Sequence, residues 1–273
     1  MNTYSIDVVI GSLMMGIFAV RILEVHPPAC WYLILALAVW VFYTTDHLLD
    51  ALKGKDRSTI PRHLVHYTNR HLIIPLWLTA TIIAGVMAII KLDLKIIYGG
   101  LLLGGLILAY FIVLFFNRKR FPWLLQKELI IGVIYVTGIW MAPLVWYGST
   151  PSGIIMILMG NMILLAWSEG ILLSGFELEE DLRNKHTSFA TMFGKRVAGI
   201  FVTILLILVI SSDVFLFFYG SYSLTIKVSL IIQTSMSLIL FLLQFFPEHF
   251  YRHQLYRYVG EFTFWLPGLI LLV

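Results

Sequence analysis

The sequence predicts an all-α polytopic membrane protein, a single domain spanning residues 1–273 and built as a bundle of about nine transmembrane helices. Three observations carry this expectation. The chain is 60% hydrophobic and only 12% charged, with a mean hydropathy of +0.90, whereas soluble domains carry roughly 25% charged residues. Apolar runs of membrane-spanning length recur along it: a hydrocarbon core of about 30 Å needs about 20 such residues per helix, which caps 273 residues at about ten crossings. The loops between the runs also alternate in charge, one set short and nearly neutral, the other longer and basic.

In chain order the apolar segments fall at Ile6 to Ile22, Ala29 to Thr45, Leu72 to Ile90, Ile96 to Phe116, Leu129 to Tyr147, Gly153 to Phe176, Val197 to Tyr219, Leu224 to Phe246 and Tyr258 to Val273. The first has no basic residue before it and no small-residue cleavage pattern after it, so it reads as a helix and not as a removable signal. Pro75, Pro143 and Pro267 are expected to shape helix ends or kinks. Cys30 is the only cysteine, which excludes an internal disulfide framework and a cysteine-based metal site.

The basic loops are Lys53 to Arg70, Arg118 to Lys127, Arg183 to Arg196 and Arg252 to Arg257. They hold fifteen of the nineteen Lys and Arg residues, and only Arg21, Lys91, Lys95 and Lys227 lie elsewhere. The positive-inside rule puts these loops in the cytoplasm. On that reading both termini are expected outside, and the protein sits in the plasma (inner) membrane. The net charge of +4 needs no nucleic acid to explain it, because anionic lipid headgroups suffice.

Two acidic clusters stand at the cytoplasmic ends of the second and sixth segments: Asp46-His47-Leu48-Leu49-Asp50 and Glu177-Leu178-Glu179-Glu180-Asp181. Residues four apart share a helix face, so Asp46 with Asp50, and Glu177 with Asp181, form two pairs of one geometry. Like charges at that spacing repel, and ionisable groups close to hydrocarbon are costly. A divalent cation offsets both costs. Carboxylate oxygens suit Mg²⁺, commonly held by one or two carboxylates together with substrate phosphates, and two facing clusters would clamp a diphosphate. The expected metal ligands are therefore Asp46, Asp50, Glu177 and Asp181. Ordinary solvated helix-end charges are the alternative for either pair taken alone.

The stretch Asp46-x-x-x-Asp50 followed by Arg57-Ser58-Thr59-Ile60-Pro61-Arg62 resembles the first motif of the UbiA-type intramembrane prenyltransferases. The stretch Glu177 to Asp181, followed by Ser188 to Gly194, looks like their second motif, and Lys119-Arg120 with Gln126 resemble the residues that open the family's fifth helix. Aligned on Asp50, the family's Asn is Asp46 here and its first Asp is His47. In the second motif the family's first Asp is Glu177 and its Gly is Glu180.

The resemblance implies an Mg²⁺-dependent enzyme that moves a prenyl group from a prenyl diphosphate to a lipophilic acceptor. Asp50 and Asp181 would be catalytic, and cations would gather on the leaving diphosphate. Candidates for that role are His47, Arg57, Arg62, Lys119, Arg120, Lys127, Arg183 and Lys185. An allylic cation also needs a dry aromatic pocket, for which Tyr43, Tyr135 and Trp167 are the candidates. Glu169, two turns before Glu177 on the same face, would point into the central cavity as a base for the acceptor, while Asp213 and Glu261 read as interfacial. A terpene cyclase on the same fold, and a non-catalytic lipid-binding or transport descendant, are the rival readings.

Overall fold

A computed structural model describes residues 4–54, 61–116, 127–184 and 187–273, with side chains excepted at 49–54, 61–64, 110–116, 184 and 253. Thirteen α-helices and two 3-10 turns make up the described residues, among which there is no strand. Among the described residues, six helices are long and apolar enough to cross a membrane: α2 (Ala29–Gly54, over its first 20 residues), α4 (Arg70–Lys91), α6 (Lys127–Tyr147), α7 (Gly153–Phe176), α10 (Lys195–Tyr219) and α11 (Leu224–Phe245).

The other three apolar segments are helical too. α1 (Ile6–Ile22) has 17 residues, and α5 (Leu94–Phe116) contributes a shorter described apolar stretch, Leu94–Ala109. The last segment is not one helix: α13 (Leu255–Thr263) gives way to a 3-10 turn over Leu266–Leu272 with Pro267 at its start. Pro75 and Pro143 lie inside α4 and α6. Short helices connect the long ones: α3 (Pro61–Thr68), α8 (Leu178–Asn184), α9 (Phe189–Phe193) and α12 (Pro247–Tyr251).

The core lies where α1, α6, α7, α10 and α11 meet, with Met15, Phe18, Trp140, Leu158, Met162, Leu206 and Met236 fully buried. The indole of Trp140 meets the Phe18 ring edge-on at 6.4 Å. Lipid supplies no hydrophobic drive to bring helices together, so close approach depends on small residues and on polar contacts. Gly132 on α6 is such a point: a Cβ there would stand 3.3 Å from the Trp167 backbone nitrogen and 3.4 Å from the Ala166 Cβ on α7. α4 and α5, by contrast, expose most of their apolar side chains, as lipid-facing helices do.

A polar network ties α7, α10 and α11 together. The Asn161 amide donates to Asp213 Oδ1 at 2.8 Å and to Ser212 Oγ at 2.9 Å, and the Gln233 amide donates to the Leu158 carbonyl at 2.7 Å. Asp213, expected at the interface, is 1% exposed inside this network.

α1 and α2 pair as an antiparallel hairpin, so the start of α1 returns to the end of α2 that carries the acidic cluster. Ser5 Oγ lies 3.1 Å from His47 Nε2. The start of the chain therefore lies at the same end of the bundle as the acidic cluster of α2, which corrects the expectation that the two lie on opposite sides.

Candidate functional site

At that end of the bundle, six helices line a cavity of about 260 Å³, with α1 contributing Val8. α2 contributes Tyr43, Asp46 and His47, spaced three and four residues apart and hence on one face. α7 contributes Glu169, Leu173 and Glu177, each one turn beyond the last. Lys127, Glu128 and Tyr135 come from the first turns of α6, Asp181 from α8, and Glu261 from α13. The structure thus brings together eight of the residues singled out in the sequence: Tyr43, Asp46, His47, Lys127, Tyr135, Glu169, Glu177 and Asp181.

Glu177 caps the end of α7, so the helix breaks between Glu177 and Asp181 instead of running through both. The Asp181 amide still donates to the Glu177 carbonyl at 2.9 Å, which keeps the two carboxylates one turn apart. α2 continues unbroken past Asp46 to Gly54 and so carries Asp50 one turn further on. The side chains of Asp50 and Arg62, and residues Arg57, Lys119, Arg120 and Lys185, lie outside the described ones.

Two expected site residues are placed elsewhere. Trp167 turns away and meets Phe201 edge-on at 5.0 Å. It stands two residues from Glu169, about 200° around a helix of 3.6 residues per turn, so the two cannot share a face. The Arg183 side chain is 77% exposed and pairs with Glu179 on its own helix at 3.6 Å. An exposed pair of this kind contributes little to stability.

Several residues matter here to which the sequence assigned no role in the site. Glu261, read as interfacial, lines the cavity. Buried Glu128 accepts the Phe189 backbone N–H at 2.8 Å and so holds the loop carrying Thr187 and Ser188 over the site. Ser188 caps α9 through a reciprocal box with Thr191. Gly170 makes room for this arrangement, since a Cβ there would stand 3.2 Å from the Glu128 Cβ.

Arg257 on α13 reaches Glu177 Oε1 at 2.8 Å, the two side chains being 8% and 17% exposed. Burial opposes the guanidinium's charge, but Glu177, Tyr256 and Glu180 together hold its pKa above the ordinary arginine value. Burial pushes the neighbouring Tyr256 phenol up, and Glu177 adds to the effect. The Tyr256 ring stacks on Phe176 at 4.5 Å, which fixes α13 against the end of α7. An Arg–Glu pair between residues just outside the sixth and ninth apolar segments leaves no local spacing signal in the sequence.

The cavity lining is rich in carboxylate oxygen: Asp46, Glu128, Glu169, Glu177, Asp181 and Glu261, with Lys127 the one Lys or Arg lining it among the described residues. Glu169 Oε1 is buried and has no hydrogen-bond partner among them. Hard oxygen donors of this kind fit Mg²⁺, which keeps several waters and needs few direct protein ligands. Among the described residues, no three His, Cys, Asp or Glu side chains converge closely enough to hold a metal ion on their own.

A second cavity of about 430 Å³ adjoins the first, between α2, α4, α5 and α6. Apart from the two tyrosine hydroxyls and the Trp31 indole N–H, its lining side chains are apolar, from Trp31 and Leu35 at one end to Phe42 and Ile134 at the other. Tyr43 and Tyr135 line both cavities, and a narrow pocket touching Phe42, Tyr43, Asp46 and Lys127 lies between them. A carboxylate-lined cavity and an apolar cavity bounded by α4 and α5 thus share the walls formed by Tyr43 and Tyr135.

Comparison with known protein families, curated proteins and solved structures finds no match to this chain.

Proposed function

We propose that this protein is an Mg²⁺-dependent intramembrane prenyltransferase that moves a prenyl group from a prenyl diphosphate to a lipophilic acceptor. The observation that carries the reading is the pairing of the two chambers across Tyr43 and Tyr135. An amphiphile with a polyanionic head and a hydrocarbon tail matches that pairing, whereas a soluble metabolite has no use for the second chamber. On this reading the nine apolar segments all cross the inner membrane, and the carboxylate chamber faces the cytoplasm.

Asp46 and Asp50 on α2, with Glu177 and Asp181 at the end of α7 and the start of α8, would hold Mg²⁺. Bound there, the ion neutralises the diphosphate and favours its departure. The chain's own residues do the rest. Lys127 at the first turn of α6 adds positive charge beside the leaving group, joined by Arg57, Arg62, Lys119, Arg120 and Lys185 from the basic loops. As the allylic C1–O bond breaks, its electron pair leaves with the diphosphate. The Tyr43 and Tyr135 rings flank the resulting cation and, with Phe264, keep water from it. The acceptor forms the new bond to C1, and Glu169, whose Oε1 has no hydrogen-bond partner among the described residues, takes the acceptor's proton.

The test is release of diphosphate and formation of prenylated product by purified protein, with Mg²⁺, prenyl diphosphates and membrane-extracted acceptors. Asp50→Ala and Asp181→Ala should each abolish both while leaving a folded protein in detergent. Full activity in either variant overturns the diphosphate reading.

A further inference from the structure

Given the proposed function, we infer that the prenyl donor is short, three to four isoprene units, with Trp31 closing the far end of the chamber that takes its tail. The apolar cavity follows α2 from Tyr43 back to Trp31. Twelve residues at about 1.5 Å rise make this about 18 Å. An extended carbon chain advances about 1.25 Å per bond of about 1.5 Å, so roughly fourteen chain atoms fit along it. Each isoprene unit contributes four chain atoms and one branching methyl.

A fifteen-carbon tail has about twelve chain atoms and lies within that length, and a twenty-carbon tail, with about sixteen, slightly overruns it.

What stops the chain is a wall of packed rings. Trp31 is 4% exposed, meets Trp146 edge-on at 5.5 Å and Tyr32 at 4.8 Å, and is backed by Gly16, where even a Cβ would stand 3.1 Å from the indole. It cannot swing aside into that space. Midway along, Gly138 on α6 lines the cavity and an added Cβ there meets nothing within 4 Å. The space beside it belongs to the cavity, so a larger side chain there shortens the tail that fits without disturbing a packed neighbour.

The experiment measures binding of S-thiolodiphosphate analogues, whose C–S bond does not ionise, to purified full-length protein with Mg²⁺. Chains of 5, 10, 15, 20, 30 and 40 carbons are compared by thermal stabilisation and by competition. Affinity should rise at least tenfold from five to fifteen carbons and gain nothing, or fall, beyond twenty. Gly138→Leu should move the optimum to ten carbons and weaken fifteen-carbon binding at least tenfold. Trp31→Ala should extend the optimum past twenty. Affinity that keeps rising to forty carbons overturns the inference, as does a flat response from five to twenty or a Gly138→Leu variant with unchanged preference. If no chain length binds in the presence of Mg²⁺, the prenyl diphosphate reading itself falls and the length inference goes with it, a result distinct from binding without length selection.

Discussion

Truncating Arg257 to alanine leaves the Glu177 carboxylate with its Oε1 partner removed at a site where that side chain is only 17% exposed. The 2.8 Å contact is a charge-assisted hydrogen bond between side chains from distant segments. Removing one member of such a buried pair costs about 3–5 kcal/mol, because the remaining charge stays desolvated. For a chain of this size, each kcal/mol moves a thermal midpoint by about 2–4 °C, so Arg257→Ala should lower the apparent midpoint in detergent by roughly 6–20 °C. Adding Glu177→Gln removes the stranded charge, and the double variant should recover part of the loss. The coupling between the two sites should then be at least about 1.5 kcal/mol in a double-mutant cycle. The pair is shielded from solvent, so raising the salt concentration should leave the wild-type midpoint nearly unchanged. A loss below about 1 kcal/mol, or additive single effects, would refute the argument that this pair docks α13 against the end of α7.

Gly132→Leu should cost about 1–3 kcal/mol by forcing α6 away from the α7 backbone, whereas Gly160→Ala, whose added Cβ meets nothing within 4 Å, should be neutral or stabilising by about 0.5–1 kcal/mol; equal midpoints for the two variants contradict the close-approach account. With Cys30 replaced, cysteines introduced at exposed Tyr4 and Arg183 should react with a membrane-impermeant thiol reagent from the same side, and one at Leu224 from the other; labelling of Tyr4→Cys together with Leu224→Cys alone would restore the opposite placement of the N-terminus. His47 is 5% exposed and tied to Ser5, so His47→Asp should lower activity or leave it unchanged, and a large gain in turnover would mean that the histidine marks a site missing a needed carboxylate.

By itself the sequence determined the helical class, the positions of the apolar segments and the two acidic pairs, because hydropathy and helical spacing are local properties. In a bilayer every backbone polar group must be satisfied within its own segment, which makes long apolar runs helices almost without regard to their neighbours. The same locality explains the residues it located on one face: Asp46 lies one turn from Tyr43, and Glu177 lies two turns from Glu169. It does not fix which face of a helix turns inward. Trp167, two residues from Glu169, went to the Phe201 side for that reason.

Tertiary structure alone decided the rest. Ser5 meets His47 only because α1 folds back along α2, which also sets the side of the N-terminus. Glu177 meets Arg257 across eighty residues of chain, and Glu128 holds the Phe189 amide across sixty-one. Asp213 is drawn out of the interface by Asn161 and Thr234, donors on two other helices. A buried charge or amide takes whatever partner the packing of helices brings within about 3 Å, and no local pattern of residues encodes that meeting.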